Sequence, residues 1–209
     1  MGKAIALSGV DGSGKSTIAL SLLKRLGGAE VAWFRWRALT LYALYLYSRL
    51  RGLYVKIYVP RMKRCIGLHI IHADPITRTL YPYLLYLDLT LFYLLYKLFS
   101  LFKRAIFTVF DRFYLDALVD AIYSCRRVDK LSLKLFASMH ARASKTVILD
   151  VDADTALARK EDVISRSEVE FKKRIYLILA KHLDIPLVDA RRGLADVLAD
   201  VCRVLQLSR

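Results

Sequence analysis

The sequence predicts an α/β fold with three layers, in which a doubly wound parallel sheet of five strands lies between helices. Three observations predict it. Short apolar runs alternate along the chain with stretches of helical periodicity. A glycine-rich turn joins the first apolar run to the first helical stretch. The 209 residues are enough for one domain with a sizeable core, and no internal repeat or linker divides them.

The elements follow from the hydrophobic pattern and from the glycines that interrupt it. The predicted strands are 3–9, 31–36, 104–111, 145–152 and 185–190. The predicted helices are 15–26, 38–51, 76–102, 113–125, 130–142, 153–160, 167–182 and 194–206. Ligands of such a fold gather at the carboxyl ends of the strands, where Gly9, Arg35, Asp111 and Asp152 fall.

The turn after the first strand reads GVDGSGKST, residues 9–17, and completes the pattern G-x-x-x-x-G-K-[ST] at Gly9, Gly14, Lys15 and Ser16. Glycines allow successive backbone amides to turn towards an anion, and the helix N-terminus adds its positive end. A chance glycine turn is the alternative, but the strand and helix on either side favour a phosphate loop. The residues expected to hold the ATP phosphates are Gly9, Asp11, Gly12, Ser13, Gly14, Lys15, Ser16 and Thr17.

Composition narrows the function classes. The chain has 34 Lys and Arg against 19 Asp and Glu, a net charge of +15, which attracts nucleotides, nucleic acid or an acidic membrane surface. Three scattered cysteines and no evident signal peptide lead us to expect a reducing cytoplasm. The chain has no Asn, which excludes the GTPase motif Asn-Lys-x-Asp, and it has no LSGGQ transporter signature. Only one amide side chain, Gln206, is present, which is typical of a thermophile.

Residues 31–73 contain no acid but hold eight Arg and Lys and five Tyr. Basic and aromatic residues interleaved in this way can bind nucleic acid or line a membrane surface, or they can form a solvated helix face. Arg35 and Arg37 stand apart because they follow a strand at the expected ligand edge.

The stretch 80–102 is long and apolar enough to span a bilayer. Asp88 and Lys97 lie inside it, Pro82 lies near its start, and a single crossing would separate strands that belong to one sheet. We therefore expect a long core helix, which can also pack on a partner subunit.

Several segments together resemble the thymidylate kinase family of nucleoside monophosphate kinases. The phosphate loop has Asp at its third position, and FDRFYLDAL (110–118) is similar to the family's DRY segment. The segments 147–160, 166–180 and 186–201 are similar to its fourth strand, its lid and following helix, and its last strand and helix. The resemblance covers 1–36 and 104–206 well and the middle weakly. It implies one kinase domain over 1–209, with a core of 1–36 and 104–209, a divergent helical acceptor-side region 37–103, and a lid at about 159–168.

The resemblance implies a homodimer that transfers a phosphoryl group from ATP with Mg²⁺ to dTMP, giving dTDP. Gly12 stands where some members carry a catalytic arginine, so the cation should come from Arg159, Lys160 or Arg166. The implied catalytic residues are Lys15, Arg112, Arg159 and Arg166. Arg159 and Arg191 would contact ATP, and Ser16 and Asp111 would hold the metal ion. The implied acceptor residues are Asp11, Arg35, Arg37, Arg78, Asp88, Arg112 and Phe113.

Departures from the family pattern concern the acceptor side. Arg-Glu-Pro-Gly after the second strand is absent, an arginine after Asp88 is replaced by Leu89, and Asp116 replaces a serine. Another nucleoside, or a small phosphorylated acceptor, therefore stays an alternative to dTMP. A nucleotide-dependent module that binds nucleic acid or a membrane is a further one. Asp11 can also serve as a turn former and Asp111 as a helix N-cap.

Overall fold

The computed structural model describes residues 3–33, 39–101, 106–142, 145–160 and 165–207. A parallel sheet of five strands in the order β2-β5-β1-β6-β7 forms the centre, which confirms the predicted fold class. Its strands are β1 (Lys3–Ser8), β2 (Ala29–Trp33), β5 (Phe107–Asp111), β6 (Lys145–Asp150) and β7 (Leu187–Asp189). The eight helices of the described residues are α1 (Lys15–Arg25), α2 (Leu41–Leu50), α3 (Pro75–Ser100), α4 (Tyr114–Cys125), α5 (Lys130–His140), α6 (Ala153–Arg159), α7 (Arg166–Leu183) and α8 (Leu194–Val204).

Two apolar clusters cover the two faces of the sheet. Side chains alternate along a strand, so Ile5 and Leu7 face one cluster while Ala6 faces the other. The cluster that contains Ile5 and Leu7 also includes buried residues of α1 and α8. The cluster that contains Ala6 is larger and includes residues of α2 to α7. All five strands point the same way, so their carboxyl ends form one edge. This edge positions the loops described below.

The segment between β2 and β5 is not purely helical, which corrects the interpretation of 37–103 as a helical region. It contains an antiparallel hairpin of β3 (Tyr54–Val59) and β4 (Arg64–His69), separate from the main sheet. Short 3₁₀ turns at Pro60–Met62 and Ile71–Ala73 connect the hairpin within itself and to α3.

Helix α3 packs one face on the core and leaves another exposed. Tyr81, Leu85, Leu89 and Tyr93 are buried, whereas Leu80, Leu87, Leu94 and Leu98 are each 44–58% exposed. Within the described residues α3 alone is long and apolar enough to cross a membrane. The strands on either side of it, β2 and β5, pair with each other, as the sequence argument required.

Candidate active site

The phosphate loop lies between β1 and α1 at the carboxyl edge of the sheet. Its residues line a cleft of about 550 Å³ together with the ends of β2, β5 and α6. Gly14 occupies the N-cap position of α1, so the first-turn amides of this helix have no side-chain cap. Such amides, with the positive end of the helix behind them, form a site for a phosphate.

Two glycines of the loop are required by their surroundings. Gly9 has φ 145°, and a Cβ there would lie 2.6 Å from the carbonyl oxygen of Leu149. Gly12 has φ 85°, and a Cβ there would lie 2.4 Å from the carbonyl oxygen of Ala156 in α6. Both backbones approach a neighbouring carbonyl too closely for any side chain. An arginine at position 12 would therefore require α6 to move, which agrees with a catalytic cation supplied from elsewhere.

Lys15 turns back over the loop. Its ammonium donates hydrogen bonds to the carbonyl oxygens of Gly9 (2.6 Å) and Val10 (2.9 Å), and the residue is buried. Burial, and secondarily the charge of Arg112, lowers the pKa of Lys15. An anion bound in the cleft would raise the pKa of Lys15 again, because a nearby negative charge stabilises the protonated amine.

Ser16 and Asp111 meet at the floor of the cleft. The Ser16 hydroxyl donates to Oδ2 of Asp111, while Oδ1 of Asp111 is buried and has no hydrogen-bond partner among the described residues. A buried carboxylate oxygen without a partner needs a cation or a water. Hydroxyl and carboxylate oxygens suit Mg²⁺, and no cluster of three or more His, Cys, Asp or Glu forms a separate metal site in the described residues. The pair therefore fits a metal ion that arrives with phosphate oxygens.

A cluster of charges surrounds Asp11 of the phosphate loop. Asp11 forms ion pairs with Arg112 and with Lys160, whose Nζ lies 3.4 Å from Oδ1 of Asp11. Burial by itself raises the pKa of Asp11. The nearby charges of Lys15, Arg112 and Lys160 lower it by more, so the resulting pKa is well below the usual range. Asp11 is consequently a carboxylate that carries its charge at any physiological pH.

Arg112 has a strained backbone. Its φ of 71° places it in the left-handed region, which costs a non-glycine residue about 1–3 kcal/mol. The strain lies directly after β5, and the side chain reaches Asp11 across the cleft. Burial by itself lowers the pKa of Arg112. The carboxylates of Asp11 and Asp116 raise it by more, so the guanidinium stays charged.

Asp116 connects three elements around the site. It is 1% exposed and accepts hydrogen bonds from the Ser8 hydroxyl (2.8 Å), the Gly9 amide (3.3 Å), the Phe113 amide (2.9 Å) and the Tyr176 hydroxyl (2.8 Å). It thereby fixes the start of the phosphate loop to α4 and α7. Sequence reasoning missed this role, although an acid in the apolar run FDRFYLDAL was a signal for it.

A second, smaller pocket of about 240 Å³ adjoins the loop between α1 and α8. Arg159 borders both pockets and donates to the carbonyl oxygen of Ala190 (2.8 Å). Arg192 lines the smaller pocket, whereas Arg191, the predicted ATP contact, forms a surface ion pair with Asp189 and does not line it. Arg192, the next residue, is thus the arginine of this loop that borders the pocket.

Two predicted acceptor residues are buried in structural roles, which is a correction. Asp88 is fully buried, and its carboxylate accepts the backbone amides of 39, 40 and 41 at 2.7–3.2 Å, so it caps α2. Phe113 is 2% exposed and stacks on Phe110 with ring centroids 4.6 Å apart. Neither lines the cleft, because both are needed for packing.

Three further predictions have other outcomes. Arg78 lies in the first turns of α3 and does not line the cleft. Arg166 forms exposed ion pairs with Asp154 and Glu170, so among the described residues of the predicted lid Lys160 joins Arg159 in the cleft. Arg35 and Arg37 lie outside the described residues, as do 161–164 of the lid.

Comparison with known proteins supports the fold. No protein-family model matches the chain, and no curated protein matches it. Among solved structures, it is similar to deoxyadenosine kinase from M. mycoides with bound dATP, at 19% identity and a TM-score of 0.56 over 98% of this chain and 99% of that one. It is also similar to thymidylate kinase from Candida albicans, at 16% identity and a TM-score of 0.57 over 98% and 91%. At these identities the likeness shows the fold, and function is argued from the site.

Proposed function

We propose that the protein is an ATP-dependent nucleoside monophosphate kinase. The observation that carries the proposal is the shared cleft, which the phosphate loop with Asp11 and Lys15 lines together with Arg112 and Lys160. The loop suits a triphosphate, and Arg112 and Lys160 suit a second anion. Phosphoryl transfer depends mainly on positioning and on neutralising charge, and this arrangement offers both.

Each side chain has a distinct part in the proposed reaction. Lys15 leaves the Gly9 and Val10 carbonyls to bind the β- and γ-phosphates, while the loop amides hold the phosphate chain. Ser16 and Asp111 would hold Mg²⁺, which would supply positive charge to offset that of the phosphates. Arg112 presents its forked guanidinium to the acceptor phosphate, and Lys160 neutralises the group in transfer.

The charge of the cleft favours a phosphorylated acceptor over a nucleoside. A nucleoside 5′-hydroxyl needs a carboxylate that can take its proton, with a pKa near the working pH. Of the described cleft carboxylates, Asp11 has a strongly lowered pKa, and Asp111, paired with Ser16, is the one proposed to hold the metal ion. A monophosphate acceptor requires only cations, which Arg112 and Lys160 supply.

Thymidylate is the acceptor we propose, on the resemblance of the phosphate loop, the DRY-like segment and the lid. The similar structures include a thymidylate kinase and a deoxyadenosine kinase, so their names do not choose between acceptors. An ADP-release assay over deoxynucleoside monophosphates and the matching nucleosides tests the proposal. We expect turnover with dTMP above all; turnover with nucleosides but with no monophosphate would refute a monophosphate kinase.

We also propose a symmetric homodimer through α3. Leucines 80, 84, 87, 91, 94, 98 and 101 follow the 3-4 spacing of a coiled-coil seam, and all but Leu84 are among the exposed large hydrophobics. Eight large apolar side chains between Leu80 and Leu101 are 37–74% exposed. If each fully exposed one presents roughly 150–200 Å², the stripe offers on the order of 700 Å². A stable dimer buries about 800 Å² per partner, so a second α3 stripe is of the right size.

Light scattering after size exclusion tests the dimer. Leu87→Glu with Leu94→Glu should give a monomer, because two charges would be buried in an apolar seam. Leu20→Glu is the control, since Leu20 is 54% exposed on α1, away from the stripe. A monomeric wild-type protein, or a double variant that remains dimeric, would exclude this interface.

A further inference from the structure

The β3–β4 hairpin is a surface that the proposed kinase reaction does not use. It joins α2 to α3, it pairs with no strand of the main sheet, and none of its residues lines the cleft or the adjoining pocket. It is held firmly to α2: the Ser48 hydroxyl lies 2.8 Å from Nδ1 of His69, and the Tyr45 ring stacks on His69 at 4.5 Å. The hairpin is thus held in a fixed position on α2, outside the nucleotide cleft.

The two faces of the ribbon differ. Strand alternation and the pairing register place Tyr54, Lys56, Tyr58, Cys65, Gly67 and His69 on one face, here called the tyrosine face. The opposite face carries five aliphatic residues, of which Val59 is buried, and one cation, Arg64, which pairs with Val59. On the tyrosine face, Lys56 and Cys65 are exposed and Tyr58 is 62% exposed. This face therefore presents rings and a cation to solvent, without a large exposed aliphatic side chain.

The cations around this face have no carboxylate partners among the described residues. Arg49 lies over the Tyr54 ring at 4.6 Å, Lys56 lies between the two tyrosines, and Lys63 lies at the hairpin turn. These cations extend along about 17 Å of ribbon, at ~3.4 Å per residue. Residues 31–73 carry eight Arg and Lys and no acid, more than half of the chain's net charge of +15. Such a row of cations without carboxylate partners attracts a polyanion.

The Tyr54 ring lies against the partner strand at Gly67. A Cβ at Gly67 would lie 2.0 Å from the Tyr54 hydroxyl oxygen, so the Tyr54 ring crosses the partner strand where no side chain stands. Because Arg49 covers the Tyr54 ring, the exposed Tyr58 is the ring of this face that can stack on a base, beside cations that can contact phosphates. An anionic membrane would instead need large aliphatic side chains inserted from the same face.

We propose that the tyrosine face of the β3–β4 hairpin binds single-stranded nucleic acid without sequence preference. Arg49, Lys56 and Lys63 contact the phosphates, and Tyr58 stacks on a base. Binding at this face is separate from the nucleotide cleft, so it neither needs nor blocks the kinase reaction.

Fluorescence anisotropy with a labelled oligodeoxynucleotide of mixed sequence and about 20 nucleotides, longer than the ~4–16 that such sites cover, tests the proposal. The affinity should fall with salt, each phosphate contact contributing about −0.7 to the slope of log K against log salt. Arg49→Glu with Lys56→Glu should make this slope shallower by about 1.4 or more. Lys24→Glu with Arg25→Glu, the same charge change on exposed residues of α1, is the matched control and should have much less effect.

Tyr58→Ala tests stacking and should weaken binding ~5- to 100-fold. Tyr42→Ala is its control, because Tyr42 is 68% exposed on α2, off the hairpin. Excess ATP and dTMP should not displace the oligonucleotide, and turnover of the hairpin variants should equal that of wild type. Their thermal unfolding should also be unchanged.

Three results would overturn the proposal. Equal loss in the hairpin and α1 charge variants would indicate attraction by net charge alone. Displacement by mononucleotides would indicate binding in the cleft. Sedimentation with phosphatidylserine-containing vesicles, without oligonucleotide binding, would assign the hairpin to a membrane surface.

Discussion

Replacing Asp116 with asparagine should destabilise the fold and disturb the phosphate loop together. Oδ2 of Asp116 accepts from the Ser8 hydroxyl and the Phe113 amide, and Oδ1 accepts from the Gly9 amide and the Tyr176 hydroxyl. An asparagine keeps one accepting oxygen. The hydroxyl beside its NH₂ group can rotate to accept, but the backbone amide on that side cannot.

One buried amide donor is therefore left without an acceptor in either orientation of the asparagine. Such an orphan costs about 1–3 kcal/mol, and the remaining bonds lose the strength that the charge gives them. We expect the free energy of unfolding to fall by about 2–3 kcal/mol. At 2–4 °C per kcal/mol for a chain of this size, the Tm should fall by ~4–12 °C.

Urea unfolding followed by circular dichroism measures the loss, and an ADP-release assay measures KM for ATP. The KM should rise, because Ser8 and Gly9 begin the phosphate loop. Asp184→Asn is the matched control: this exposed residue closes α7 with a left-handed backbone that asparagine tolerates, so the change should stay within about 0.5 kcal/mol. If Asp116→Asn were as stable as the control and bound ATP normally, Asp116 would not be the connecting residue described above.

Four further predictions concern the site and its surroundings. Lys15→Ala should lower kcat by at least ~100-fold with the Tm retained, because the lysine neutralises the group in transfer; ADP release and thermal melting measure both. Arg112→Gln should raise KM for the acceptor monophosphate ~10- to 100-fold with little change in KM for ATP, as expected for a lost charged hydrogen-bond pair; an equal rise in both constants would contradict its assignment. Lys160→Ala should lower kcat more than Arg166→Ala does, since only Lys160 lines the cleft. Burial lowers the pKa of His140 to about 4, so the unfolded state binds its proton more readily and stability should fall by up to ~3 kcal/mol as pH drops from about 6.5 to 4; His140→Phe should flatten this part of the profile in urea titrations.

Much of the fold was predictable because it is encoded locally. The phosphate loop needs glycines at fixed spacing and a strand and helix beside it, and all of these are visible in the sequence. The strands of the parallel sheet are buried on both faces and read as continuous apolar runs. The boundaries were less certain: β2 begins at Ala29, two residues before the predicted strand, because its first residues are only partly buried.

The hairpin was missed for an identifiable reason. Its strands mix Lys, Arg and Tyr with aliphatic residues, and its turn has no Asn-Gly or Asp-Gly. The chain reverses instead through a 3₁₀ turn at Pro60–Met62 and a left-handed Lys63, with φ 48°. A lysine in that conformation gives no sequence signal, because the conformation is stabilised by the pairing of the strands on either side.

The site was predicted in kind more accurately than in detail. Ser16, Lys15 and Asp111 come together because the motif and the strand end define their positions. Asp88 and Phe113 could not be assigned, since an acid and an aromatic ring on helices serve equally well as ligands or as internal supports. Only the three-dimensional structure shows that one caps α2 and that the other packs on Phe110.

The pairing of β2 with β5 has an evolutionary consequence. The chain leaves the sheet after Trp33 and returns to it at β5, the strand that pairs with β2. The exposed parts of this excursion, the hairpin and the leucine stripe, can change in sequence while the buried face of α3 and the half that carries the phosphate loop stay unaltered. Selection can thus change the interaction surfaces of this protein without changing its phosphate loop.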